Sequence, residues 1–191
     1  MKKVFLALMS VALIAGIYSF APKTAPVAAG DAYTADVAKS RVDWYGTAKD
    51  HYHPGYFLLK SGQVSVDAGK ITGGKFVVDL NSVKVTDGAG EKLEGHLKSK
   101  DFFDVATLGE ATYEIGSVKY TDANTADIDG KLTLKGVTVP VKFSAKVRGV
   151  DDKKLLADAT FSIDRTLWGI SYGTGMVASD VYVTVHLFAT K

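Results

Sequence analysis

The sequence predicts an all-β protein, and three observations indicate this fold class. Residues 129–147 (DGKLTLKGVTVPVKFSAKV) alternate between apolar and polar side chains almost without interruption. Six further segments show the same alternation, which is expected of strands because successive side chains project to opposite faces. Short turns rich in Gly, Asp or Asn join the segments. About eight strands connected in this way predict an antiparallel sandwich or barrel.

The chain begins with a stretch typical of a secretory signal peptide. Two lysines precede the apolar run 4–20, and candidate cleavage sites follow Ala21 or Ala29. We therefore predict that residues 1–29 are a signal peptide and the start of a linker, and that the protein is periplasmic or secreted. An uncleaved membrane anchor is the alternative, because the apolar run approaches the length needed to span a bilayer.

Composition excludes several function classes. The chain has no Cys, so disulfides, thiolate metal sites and Cys nucleophiles are absent. The formal net charge of +2 comes from three lysines in residues 1–30, and without them 20 basic and 21 acidic residues remain. A nearly neutral domain with interspersed charges predicts no nucleic-acid partner.

The first three strands follow a Pro-, Ala- and Gly-rich segment at 22–32, which we predict to be a flexible linker. They are expected at 41–47, 55–67 and 73–85. The second changes phase along its length, and a β-bulge at Ser61–Gly62 explains the change. One face of these strands collects Val42, Trp44, Gly46, Phe57, Leu59, Val64, Val66, Phe76, Val78 and Leu80.

A short helix interrupts the strand pattern. In the stretch GEKLEGHLKSKDFFDV, Leu93 and Leu97 stand at helical spacing among charged residues. The spacing predicts a surface helix between the third and fourth strands.

The remaining strands are expected at 109–120, at 129–147 and in the segments 154–164 and 180–190. Between the last two lies an irregular segment rich in Gly and aromatic residues, RTLWGISYGTGMVASD. The inward face of these strands collects Tyr113, Ile115, Leu132, Leu134, Val141, Phe143, Phe161, Ile163, Val181, Val183, Val185 and Leu187.

No pattern of catalytic or metal-ligating residues stands out. His51 and His53 could supply two metal ligands, but no third ligand is spaced to join them, and partly exposed imidazoles in a loop are the favoured interpretation. Asp101 and Asp104 more often cap a turn than serve as an acid–base pair. We expect no catalytic residues, no metal and no cofactor.

The inward faces contain many small residues, which predicts unfilled volume. A barrel of about eight strands can either fill its interior with side chains or hold one small ligand. The small inward residues are Gly46, Ala111, Gly130, Ala145, Ala159 and Ala189.

Several long stretches, in order along residues 33–191, carry a resemblance to a known family. They are HPGYFLLKSGQVSVDAGKITGGKFVVDLNSVKV, EGHLKSKDFFDV, ATYEI, IDGKLTLKGVTVPVKFSAKV and FSIDRTLWGISYG. The chain resembles the YceI-like family of lipid- and polyisoprenoid-binding proteins. His53 and Gly55 match the family's His-x-Gly, His96–Ser99 match its His-Leu-Lys-Ser, and Phe102 and Phe103 match the aromatic pair that follows. The sequence departs at Leu108–Gly109, where the family commonly has Tyr-Pro.

The resemblance implies an eight-stranded antiparallel lipocalin-like barrel over residues 33–191. It also implies non-catalytic binding and carriage of an isoprenoid or other long-chain lipid in a hydrophobic channel, and it allows transient membrane contact. The identity of the lipid and the oligomeric state stay open. Strand alternation predicts the channel lining: Trp44, Phe57, Leu59, Phe76, Val78, Leu80, Tyr113, Ile115, Leu132, Leu134, Val141, Phe143, Phe161 and Ile163, with Trp168 near one end. The alternatives are an envelope stress or structural protein with a filled core, and an enzyme acting on a lipid.

Overall fold

Nine antiparallel strands and three short helical segments make up the part of the chain that the structure, a computed structural model, describes: residues 30–191. The predicted signal peptide at 1–29 lies outside the described residues. The helical segments are α1 (Gly90–Lys98), α2 (Val105–Leu108) and a 3₁₀ segment (Arg165–Trp168). The strands are β1 (Asp31–Ala35), β2 (Arg41–Ala48), β3 (Tyr52–Asp67), β4 (Lys70–Val85), β5 (Glu110–Tyr120), β6 (Thr125–Leu134), β7 (Val137–Val150), β8 (Lys154–Asp164) and β9 (Val177–Thr190).

The strands close into a barrel with eight positions, as the family resemblance implies. Each strand from β2 to β9 pairs with its neighbour, and the pairing of β3 with β4 closes the ring. Strands β1 and β2 share one position, because both lie between β3 and β9. Strand β1 pairs with the segments around Val64 of β3 and Ala189 of β9. Strand β2 pairs with the segments around Phe57 of β3 and Val185 of β9. The turn between these two strands is held by Ser40, whose hydroxyl donates to the Phe188 carbonyl at 3.0 Å.

Two sequence predictions about strand order are wrong for one reason. Strand β1 begins at Asp31, inside the segment predicted to be linker, and its five residues are too short to show an alternation signal. Because β1 adds a strand at the start, α1 follows β4 and not the third strand. The helix itself, with Leu97 buried, is confirmed.

The phase change in β3 is confirmed, but the bulge lies one residue earlier than predicted. Leu59 pairs with Val78 and Ser61 pairs with Val77, so Lys60 is the extra residue. The bulge keeps Leu59 and Gly62 both buried on the inner face.

The barrel interior is packed unequally at its two ends. At the end formed by β1 and the β3–β4 hairpin, Tyr33, Val64, Val66, Ile71 and Leu155 pack against a set of buried alanines. We call this the closed end. At the opposite end, the β2–β3 hairpin, α1 and the segment 165–177 surround a second apolar cluster. No helix within residues 30–191 is long and apolar enough to cross a bilayer.

Candidate functional site: an apolar cavity inside the barrel

A cavity of about 690 Å³ occupies the barrel between its middle and the end opposite the closed end. Side chains from the inner faces of β2 to β9 form its wall. Thirteen of the fifteen residues that strand alternation predicts as channel lining contact it: Trp44, Phe57, Leu59, Phe76, Val78, Leu80, Tyr113, Leu132, Leu134, Val141, Phe143, Phe161 and Ile163.

Two predicted lining residues, Ile115 and Trp168, do not contact the cavity. Ile115 packs against the closed-end cluster, because this part of β5 lies beyond the cavity, at the closed end of the barrel. Trp168 is only 1% exposed, and its Nε1 donates to the Leu132 carbonyl at 3.1 Å. Trp168, at the end of the 3₁₀ segment, is thus buried behind the cavity wall.

Other lining residues are absent from the sequence-based prediction. Strand β9 contributes four, although its alternation already marks them as inward: Val181, Val183, Val185 and Leu187. The loop residues Phe102, Phe103 and Ile170 carry no periodic signal, and only the fold brings them to the cavity.

Three aromatic rings form the floor of the cavity. Phe143 and Phe161 are stacked with ring centroids 4.4 Å apart, and Tyr113 lies 5.4 Å from Phe143. All three pack against both apolar clusters. The Tyr113 hydroxyl donates to the Val141 carbonyl at 3.0 Å, and burial raises the pKa of this phenol, so it stays neutral. The floor therefore presents carbon surface to the cavity.

Trp44 covers one wall. Its ring lies across Gly55 so closely that a Cβ at position 55 would come within 2.3 Å of the indole, so only glycine fits there. The indole Nε1 is buried, and of the buried side-chain nitrogen and oxygen atoms in residues 30–191 it is the one without a hydrogen-bond partner. Trp44 thus combines a large apolar contact surface with a buried N–H donor that has no acceptor among residues 30–191.

Helix α1 and the loop after it form one side of the mouth. Buried Glu94 attaches α1 to the barrel by accepting from the Val85 backbone N–H and the Lys84 ammonium, both at 3.1 Å. These two bonds, the backbone bond first, hold the pKa of Glu94 below its usual value. Phe103 then packs edge-on against Phe57, with ring centroids 5.5 Å apart. The mouth is therefore built on a fixed helix.

Among residues 30–191, the charged side chains and histidines that reach the cavity lie around its mouth. They include Lys49, Asp50 and three histidines: His51, His53 and His96. Each histidine is hydrogen-bonded to an aspartate: His51 to Asp50 at 2.6 Å, His53 to Asp87 at 2.8 Å and His96 to Asp101 at 3.2 Å.

His51 and His53 carry the type of side chain that metal sites use. Within residues 30–191, no group of three or more His, Cys, Asp or Glu side chains is arranged to hold a metal ion. The rings of His51 and His53 do meet, edge to face at 4.9 Å, as their spacing on one strand face suggests.

Arg165 also reaches the cavity but is engaged elsewhere. Its guanidinium donates to the carbonyls of Ile170 (2.6 Å), Ala178 (2.9 Å) and Val177 (3.1 Å). Burial lowers the pKa of this side chain, while an arginine remains charged in proteins. Its role is to hold the segment 165–177 over the mouth.

Replacing Phe143 distinguishes a cavity floor from a packed core. In a packed core, Phe→Ala costs about 3–5 kcal/mol of unfolding free energy. We expect Phe143→Ala to cost less in delipidated protein, because one side of its ring faces the cavity, and to weaken lipid binding. Urea denaturation measures the cost. Leu155→Ala at the closed end is the matched control, with an expected loss of about 2–5 kcal/mol and unchanged binding per folded molecule. A core-like loss at Phe143 with intact binding would remove this residue from the lining.

The two tryptophans provide a second test, because one contacts the cavity and the other does not. A ligand that fills the cavity is expected to change the fluorescence of Trp44 and leave that of Trp168 unchanged. The change should therefore persist in Trp168→Phe and disappear in Trp44→Phe. A ligand-induced change that survives Trp44→Phe would place the ligand elsewhere.

Solved structures share this barrel. BcnA from Burkholderia cenocepacia is 26% identical, with a TM-score of 0.71 over 82% of this chain and 99% of BcnA. A domain from Saccharophagus degradans, described as a polyisoprenoid binding domain implicated in plant cell wall breakdown, has a TM-score of 0.68 over 83% of this chain and 97% of that domain. Its 20% identity supports the fold alone.

Sequence comparison extends the relationship. A UPF0312 protein from Ectopseudomonas mendocina is 42% identical over 105 residues, which are 55% of this chain and 50% of that relative. The chain thus aligns with half the length of this relative. The model of the YceI-like domain matches residues 33–189, nearly the whole barrel. The chain therefore belongs to the YceI-like domain family.

Proposed function

We propose that this protein binds and carries an isoprenoid or a similar amphiphilic lipid, without catalysis. The observation that carries the proposal is the apolar cavity of about 690 Å³, whose polar residues are confined to the mouth. This volume falls in the range of about 300–1,000 Å³ that is typical of small-molecule sites. The description of the S. degradans neighbour as polyisoprenoid-binding supports the same ligand class.

An apolar chain is the ligand that this wall favours. Burying each methylene contributes about 0.8 kcal/mol, so a chain of several isoprene units offsets its ordering cost. The aromatic floor would meet the end of the chain, and a polar head would remain at the mouth. A cavity with polar residues at its mouth and aromatic rings at its floor fits a ligand with one polar end.

The cavity also bears on the two alternatives. A structural protein with a filled core would have side chains where the cavity lies, and the half-exposed Phe76, Val78 and Phe143 instead line open space. An enzyme acting on a lipid would need polar groups that converge inside the barrel. In the described chain the convergence is at the mouth, around the three histidines.

We place this carriage in the cell envelope, with transient contact at a membrane. The signal-peptide pattern of residues 1–29 supports the location. Near the mouth, the segment 165–177 exposes Leu167, Tyr172 and Met176, of which Met176 is 69% exposed. Exposed apolar and aromatic side chains beside the mouth would let a lipid pass from a bilayer into the barrel.

Native mass spectrometry of protein purified from its own host tests the proposal. We expect a lipid adduct that disappears on delipidation and returns when a prenyl lipid is added. Val185→Phe, which fills the cavity from β9, should lower the bound fraction. The neighbouring Thr184→Phe places the same ring on the outer face and should leave the fraction unchanged, because Thr184 bonds to Thr160 outside the barrel. A clean apo mass without uptake of prenyl lipid would favour the filled-core alternative.

A further inference from the structure

His53 is a partly buried polar group of the mouth. It lies on β3 opposite Gly46, in the cavity wall. Its Nδ1 is 2.8 Å from Asp87 Oδ2, and both side chains are 28% exposed. Thr86, next to Asp87, donates from its backbone N–H and its hydroxyl to the Pro54 carbonyl at 3.0 and 3.2 Å. The pair is therefore held by strand β3 on one side and by the start of the α1 connection on the other.

The pairing with Asp87 determines which ring nitrogen of His53 is free. Asp87 accepts from the Ala89 backbone N–H and from His53, and these bonds, in that order, hold the pKa of Asp87 below its usual value. An ionised carboxylate can only accept, so Nδ1 carries the proton and the neutral ring has its lone pair on Nε2. His53 contacts the cavity and Asp87 does not, and Nε2 is the ring nitrogen that the bond to Asp87 leaves available.

The charged side chains around the mouth are of both signs. The cations that reach the cavity are Lys49 and Arg165, and Arg165 already donates to three backbone carbonyls. Asp50 is the carboxylate among the cavity-lining residues, and Asp87 and Asp101 are bonded to the lining residues His53 and His96. A head with a full charge of either sign would meet a like charge at the mouth and would lose hydration above an apolar cavity. A neutral head that donates a hydrogen bond suits the site better than either.

We infer that the mouth selects an uncharged hydroxyl head, which donates to His53 Nε2 while the apolar chain lies in the barrel. The inference rests on the proposed lipid binding and assigns its head chemistry to an alcohol. Asp87 is a positioning residue, since it fixes the tautomer that makes Nε2 an acceptor.

Four probes that share one isoprenoid chain test the inference: farnesol, its methyl ether, farnesyl phosphate and farnesylamine. Dissociation constants are measured at about pH 8, where an ordinary imidazole is neutral. The decisive quantity is the ratio of alcohol affinity to ether affinity. We expect His53→Phe to lower this ratio by about three- to tenfold, the typical value of one hydrogen bond, and to leave ether affinity nearly unchanged. His186→Phe is the matched control, because His186 also pairs with an aspartate (Asp43, 3.1 Å) but lies outside the cavity.

Asp87→Asn provides a readout that a purely structural role would not move. An asparagine amide donates to Nδ1, which transfers the ring proton to Nε2. The ether oxygen can then accept from Nε2–H, so the alcohol-to-ether ratio should fall through a gain in ether affinity. If Asp87 only stabilises the local structure, Asp87→Asn should change the affinities for the alcohol and the ether by the same factor.

The failures are distinguishable. If no probe binds the wild type, the proposed lipid binding itself fails. If all probes bind and the alcohol-to-ether ratio is unaffected by His53→Phe, the head assignment fails and the lipid binding stands. Tighter binding of the phosphate or the amine than of the alcohol overturns the assignment in favour of a charged head.

Discussion

Closure of the barrel between β3 and β4 is the constraint on which the other features depend. Pairing along these two long strands removes the last free edges of the sheet and turns every alternating strand face towards one shared interior. The interior must then be filled by side chains or by something else. Residues near β1 fill one end, whereas the wall from Trp44 to Phe143 encloses open space. Whether an inward-facing side chain packs in the core or lines the cavity therefore depends on the end of the barrel at which it lies.

Alternation along the strands predicts most of the cavity wall, because every second side chain of a strand still faces the interior when the sheet closes into a barrel. It does not predict how far along the barrel each residue lies, which explains why Ile115 falls in the packed end. For the same reason, only some of the small inward residues leave open volume, and the prediction that all of them do is partly wrong. Ala145, Ala159 and Ala189 oppose large closed-end side chains and leave no space. Gly130 makes room for the Tyr113 ring, while Gly46 and Ala111 do line the cavity.

The side-chain contacts within the mouth could not be predicted from the sequence, since they join distant segments. His53 meets Asp87 across 34 positions of the chain, and His96 meets Tyr172, at 4.5 Å between ring centroids, across a larger separation. These segments have no periodicity, and only the pairing of β3 with β4 and the attachment of α1 through Glu94 bring them together. In energetic terms, the chain supplies most of the affinity at about 0.8 kcal/mol per methylene, and one hydrogen bond of about 1 kcal/mol is left to discriminate between heads.

The central claim, that the barrel holds an apolar chain between its mouth and its aromatic floor, is tested most directly by nuclear Overhauser effects between ligand protons and labelled Leu and Val methyl groups. With farnesol bound, the account predicts contacts from Leu59, Val78 and Val185 in the wall, and none from Val64 or Leu155 at the closed end. Contacts confined to exposed methyl groups such as those of Leu58 and Leu167, with the wall residues silent, would contradict it.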